Sequence, residues 1–254
     1  MKKLLAITAL SAALFFGQTA AAEEKAAEEV KPSHVEMVLV LDESGSMSNL
    51  TNDTIGGFNS MIEKEKKLDV DAHVTTVLFN DQYKMLYNRR ELKDVSKMTD
   101  KDYTPGGMTA LLDAVGRTIH KMDMVSGIHR KDKGNKVLFV IITDGEENDS
   151  REYTYADVKK LIKDRQENAG WEFIFLGANI DAVAAAENLG IDRDRAVKYK
   201  NTGSGVRANF KAVAELSDSL AKSGRVSDEW KEMVEKDEDD AADKQSAAVT
   251  LHRR

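Results

Sequence analysis

Three short stretches hold the residues best suited to chemistry. Asp42-Glu43-Ser44-Gly45-Ser46-Met47 closes one apolar run, Thr104-Pro105-Gly106-Gly107-Met108-Thr109 leads into a helical pattern, and Thr143-Asp144-Gly145 closes a second apolar run. Gathered in one place, Asp42, Ser44, Ser46, Thr109 and Asp144 present only hard oxygen atoms. Magnesium suits such a set, because it takes near-octahedral oxygen coordination through one or two carboxylates and retains several waters. Two carboxylates and three neutral hydroxyls balance a divalent ion without oversupplying negative charge. An ion held partly through water keeps room for another anionic oxygen, such as the Asp or Glu of a protein partner. That is a binding chemistry, and it needs no general base. Taken singly, each residue has a plainer role: Asp42 and Asp144 as caps, Ser44 and Ser46 as turn residues, Thr109 as a helix N-cap. Their joint occurrence at the ends of apolar runs is what argues for a site.

The elements that must position these loops follow from periodicity. Met37 to Leu41 and Val137 to Ile142 are continuous apolar runs, as expected of strands covered on both faces of a parallel sheet. His73 to Phe79 and Trp171 to Leu176 read as further strands, Tyr83 to Tyr87 as an edge strand, and Arg195 to Lys200 as a late polar strand. Helical faces fall at Ile55, Phe58 and Ile62, at Leu111, Leu112, Val115 and Ile119, and at Tyr155, Val158 and Ile162. The last opens with Thr154-x-x-Asp157, the form of a capping box. Ala182 to Leu189 and Phe210 to Leu220 read as shorter helices. Alternating strand and helix predicts an α/β fold with a mostly parallel central sheet and helices on both faces. Ligands of such sheets gather beyond the carboxyl ends of the strands, where the strand order reverses.

From Val35 to Phe210 the chain resembles the von Willebrand factor A (VWA) domain with its metal-ion-dependent adhesion site. DESGSM, Thr109 and ITDGEEN carry the resemblance. Residue by residue, Asp42, Ser44 and Ser46 match the first loop of that site, Thr109 the second and Asp144 the third. The stretch FIFLGANIDAVAAAENLGI looks like one shared by small bacterial and phage proteins of this type. The resemblance implies a Rossmann-like sheet, a magnesium ion (manganese or calcium as alternatives) and metal-dependent protein binding without turnover.

Other chemistries fit less well. Gly203-Ser204-Gly205-Val206-Arg207-Ala208 has the form of a dinucleotide fingerprint but no acidic-ended strand after it, and reads as a capping turn. Gly127 to Lys136 resembles a phosphate loop with the wrong spacing. A phosphatase-like nucleophile at Asp42 would want a second Asp where Ser44 stands. None of His34, His73, His120, His129 and His252 lies beside a nucleophile elbow, so an enzyme is not expected; His120 within reach of Ser44 or Ser46 would reopen that question. Glu146 and Glu147 could attract the cation, extend a partner surface, or simply be solvated. The readings left beside metal-dependent adhesion are a scaffold with a purely structural metal and, less favoured, a hydrolase.

Composition sets the outer limits. The 254 residues are 41% hydrophobic and 32% charged, enough for a core of their own. A formal charge of −7 argues against nucleic acid as partner, and the absence of cysteine excludes disulfides, thiol catalysis and zinc–thiolate sites. Residues 1–22 read as a bacterial-style signal peptide: Lys2 and Lys3, the apolar run Leu4 to Phe16, and small residues Ala20 to Ala22 before Glu23. Cleavage there predicts export to the periplasm or the outside of the cell, with no membrane insertion afterwards. An uncleaved signal would instead tether the chain, although Leu4 to Phe16 is short for the roughly 30 Å hydrocarbon core. Residues 23–33 read as a charged leader, 34–224 as the VWA domain and 225–254 as a charged tail with little to bury.

Overall fold

The structure is a computed structural model and describes residues 34–68, 70–125 and 135–236. The signal, the leader and most of the phosphate-loop look-alike lie outside those residues. Among the described residues no helix is long and apolar enough to cross a membrane.

Strands β1 (His34–Asp42), β2 (Ala72–Phe79), β3 (Tyr83–Glu91), β4 (Asn135–Thr143), β5 (Glu172–Gly177) and β6 (Ala196–Lys198) form one six-stranded sheet in the order β3-β2-β1-β4-β5-β6. Only β3, at the edge, is antiparallel. The strand order therefore runs outward in both directions from the β1–β4 pair, which is the switch point of this Rossmann-like sheet. Its apolar strands are continuous because both faces are covered. Met37, Leu39 and Leu41 face α1 (Thr51–Lys67) and α5 (Gly203–Ser223), whereas Val38 and Val40 face α2 (Leu111–Asp123), α3 (Tyr155–Asp164) and α4 (Ala182–Leu189). Helices α1 and α5 meet closely at Gly57, where a Cβ would lie 2.4 Å from the Phe210 ring.

Several expectations are refined. Helix α5 starts at Gly203, not near Phe210, because the Thr202 side chain accepts a hydrogen bond from Gly205 N and caps it. That is the capping turn expected of the glycine motif. The Thr154–Asp157 capping box forms at the start of α3. Tyr155 departs from its expected apolar face: it occupies the first helical position and is exposed. Helix α2 begins at Leu111, so Thr109 is not its N-cap.

The packed part of the chain runs beyond the Gly224 boundary expected from composition. Residues 229–236 are helical, and Trp230 and Val234 are buried in the α1–α5 core. One helical turn apart, they fall on the same face, so two buried apolar residues anchor a segment whose other positions, apart from the exposed Met233, are charged.

Candidate metal centre

The three loops meet at the carboxyl ends of β1 and β4. Asp42 is the last residue of β1, and Asp144 directly follows β4. Asp42 is held on both oxygens: Oδ1 accepts from Ser44 N at 2.7 Å and Oδ2 from Thr143 Oγ1 at 2.6 Å. Ser44 Oγ lies 3.0 Å from Ser46 Oγ, and Ser46 Oγ donates to Asp144 Oδ1 at 2.5 Å. Thr109 borders the same space, since a Cβ placed on Gly145 would lie 3.5 Å from Thr109 Oγ1 and 3.9 Å from Ser46 Oγ. All five expected donors are thus brought together.

The loops are tied to one another by backbone. Gly45 N donates to Gly107 O at 3.2 Å, and Gly106 N donates to Glu43 O at 2.9 Å. Glu43 turns away from the donor cluster and accepts from Thr104 N, joining the first loop to the second. Gly107 adopts φ +75°, and a Cβ there would meet Asp81 Oδ1 at 1.9 Å, so the tight passage requires glycine.

The third loop carries more structure than its sequence suggests. Glu147 reaches across to the start of α2, where its Oε2 accepts from Leu112 N at 2.9 Å and its Oε1 from Ser150 N at 2.7 Å. A carboxylate there satisfies a free helix N–H and complements the helix dipole. Asn148 Oδ1 accepts from Thr109 N at 2.8 Å, which fixes the second-loop donor from the third loop. Glu146 is exposed.

Further groups complete the floor. Asn201 Nδ2 donates to Asp144 Oδ2 at 3.2 Å, and Asn179 Nδ2 to Asp144 O at 3.4 Å. Tyr103 donates to Asp42 O at 2.6 Å, while the Tyr199 hydroxyl is buried with no hydrogen-bond partner among the described residues. Sequence reading missed Asn179 and Asn201, yet both follow strands, β5 and β6, at the sheet end where ligands gather.

Electrostatically the floor is unusual. Asp42 is 1% and Asp144 2% exposed, and no Lys or Arg pairs with either among the described residues. Burial pushes the Asp42 carboxyl above its ordinary range, opposed by its bonds from Ser44 and Thr143 and reinforced by the neighbouring Asp144. Burial, with the field of the two aspartates, also pushes the Tyr199 hydroxyl well up. Two buried carboxylates, hard hydroxyl oxygens and no counter-cation make a donor set that fits a small divalent ion. His120, the residue on which a hydrolase would turn, is on α2 beside Tyr153 (5.9 Å between ring centroids) and makes no hydrogen bond to Ser44 or Ser46.

A family model described as "vWA found in TerF C terminus" matches residues 34–201. The chain belongs to this VWA family. No curated protein sequence matches it. Among solved structures, the VWA chain is similar to the pilus adhesin SpaC from Lactobacillus rhamnosus GG, at TM-score 0.58 and 15% identity over 76% of this chain and 31% of that one. It is also similar to the von Willebrand factor domain of the type V pili tip protein Mfa5 from Porphyromonas gingivalis, at TM-score 0.53 and 12% identity over 78% and 99% of the two chains. The PilB minor pilin from Streptococcus sanguinis gives TM-score 0.52 and 11% identity over 73% and 61%. The chain spans about half the length of several of the solved structures it matches. At these identities the likeness is one of fold.

Proposed function

We propose that this VWA protein is an exported, metal-dependent protein-binding module and not an enzyme. Asp42, Ser44, Ser46, Thr109 and Asp144 would hold magnesium, with manganese or calcium as substitutes, and the ion would supply a Lewis-acidic point for a partner's Asp or Glu. The observation that carries this reading is the pair of buried aspartates, neither of them paired with a Lys or Arg among the described residues. Burying an uncompensated carboxylate costs several kcal/mol, and two side by side cost more. Asn201 and Thr143 hold the carboxylates in place, and Asn148 holds the backbone of Thr109. Met108, next to Thr109, is 51% exposed and offers apolar area to a partner at the rim. The net charge of −7 disfavours a nucleic-acid partner. Residues 1–22, read as a signal peptide, support a periplasmic or extracellular location, and the adhesin and pilin names among the structural relatives agree with it.

The interlocked loops favour adhesion over a purely structural metal. Gly45, Gly106 and Glu43 join the first two loops through the protein's own hydrogen bonds, so the geometry does not depend on an ion. Calorimetric titration of magnesium into the chain should give one saturable site that Asp144→Ala abolishes while the thermal transition stays cooperative. Capture of a partner should then be lost in chelator. Magnesium binding unchanged by Asp144→Ala would refute the ligand assignment. A collapse of thermal stability on chelation, with partner capture retained in a refolding buffer, would instead favour the scaffold reading.

A further inference from the structure

A second cluster of metal-ligating groups stands at the opposite end of β1, roughly 26 Å from Asp42 at about 3.3 Å per strand residue. His34 and Glu36 are two apart on β1 and share a face. Glu36 is the direct register partner of His73 on β2. Three donor atoms converge: His34 Nε2 to His73 Nδ1 is 2.8 Å, and each of these nitrogens lies 3.4 Å from Glu36 Oε1. A tetrahedral zinc ion with bonds of about 2.0–2.1 Å has ligand–ligand edges of about 3.3 Å. Two edges of this triangle already have that length, and the third needs to open by about half an ångström.

The surroundings orient the ligands. His34 Nδ1 lies 3.0 Å from Asp71 Oδ1. An Nδ1–H held by a carboxylate leaves Nε2 bare and facing the cluster, the supporting arrangement that metal-binding histidines ordinarily have. Glu36 is 2% exposed and is gripped on Oε2 by Arg89 Nε at 3.0 Å. Arg89 Nη2 also touches Glu36 Oε1 and lies 3.4 Å from His73 Nδ1. A register shift in β3 and a φ of +45° at Arg89 aim this side chain into the cluster. The Arg89 side chain is 32% exposed, so its guanidinium has water to turn to when an ion takes Glu36 Oε1. Glu91, opposite His73, is engaged by Lys93.

We propose that His34, His73 and Glu36 form a second metal site, for a borderline divalent transition ion of the zinc class, with three protein ligands and an open fourth position. Imidazole nitrogen selects such ions over magnesium, which the all-oxygen centre at the other pole suits better. Asp71 is a positioning residue for His34. Arg89 competes with the ion for Glu36 Oε1 and so lowers the affinity. A proton on either nitrogen bridges His34 Nε2 and His73 Nδ1, and loading requires both nitrogens to be bare.

The test is zinc titration of the full chain, without a histidine tag and in excess magnesium, against a chromogenic chelator. One zinc should bind with micromolar or tighter affinity, unchanged in Asp144→Ala. His73→Ala should lose it, Asp71→Asn should weaken it about 10–100-fold, and Arg89→Gln should tighten it. Cobalt should give the intense visible band of a four-coordinate nitrogen site in the parent chain and not in His34→Gln, which serves if His73→Ala misfolds. Absence of competition in the parent chain would overturn the proposal and leave the cluster as a hydrogen-bonded ion-pair network. Binding that persists in both histidine variants would overturn it too, by assigning the zinc to other histidines.

Discussion

At the residue scale, the oxygen donors were legible because Asp42, Ser44, Ser46 and Asp144 lie within a few positions of a strand end and Thr109 lies just before α2, where local sequence dictates geometry. The residues that steady them were not. Asn201 is 57 positions from Asp144 and Asn179 is 35, and no spacing rule links an asparagine after one strand to an aspartate after another. Glu65 was equally invisible, a glutamate on a helix that reads as surface charge. It is buried between α1 and α5, with Ser217 Oγ donating to Oε2 at 2.8 Å and Oε1 without a partner among the described residues. Burial raises its carboxyl from 4.5 to about 7, against the bond from Ser217. A carboxyl whose folded value is raised contributes stability that is complete below the unfolded value and is lost as pH climbs through the folded one. The parent chain should therefore lose on the order of 3 kcal/mol relative to Glu65→Gln between about pH 4.5 and pH 7. Urea unfolding of both proteins across that window checks it, and parallel curves would show that folding leaves the Glu65 carboxyl unshifted.

At the element scale, strand and helix types followed from periodicity, since continuous apolar runs and helical repeats reflect the two covered faces of the sheet. What could not be read was how the elements are joined. Thr109 looked like a helix cap, but α2 begins two residues later and is capped from the third loop by Glu147. Tyr155 had the right spacing for the α3 core face and is exposed, because a first-turn side chain overhangs the end of the packed face. The cap is testable by a paired comparison. Glu147→Ala should cost about 1–2 kcal/mol by removing the bonds to Leu112 and Ser150, whereas Glu146→Ala, one residue away and exposed, should be nearly neutral. Equal effects in thermal melts would mean that loop charge, and not the helix bond, matters.

At the scale of the whole molecule, the α/β architecture and its functional edge were apparent from sequence, and the end of the packed region was not. Averaged composition concealed Trp230 and Val234 among their charged neighbours. Trp230 is wholly buried, so Trp230→Ala should cost about 3–5 kcal/mol. Truncation after Gly224 should destabilise the protein at least as much, while truncation after Lys236 retains this contact. Denaturant midpoints for the three chains separate these outcomes, and a stable chain ending at Gly224 would show that the last helix is dispensable.

The central position of β1 also has a consequence in time. It is the first of the six described strands to be made, yet one of its two neighbours, β4, arrives far later: Asp42 and its hydrogen-bond partner Thr143 are 101 positions apart. At about 5–20 residues per second, a nascent chain waits roughly 5–20 s between completing one and the other. During that interval Val38 to Leu41 is an apolar strand with an open edge, vulnerable to pairing with other chains, and Asp42 has neither Thr143 nor Asp144 beside it. The acidic centre therefore comes into being only when the sheet closes at its middle, after Thr143 and Asp144 have been made.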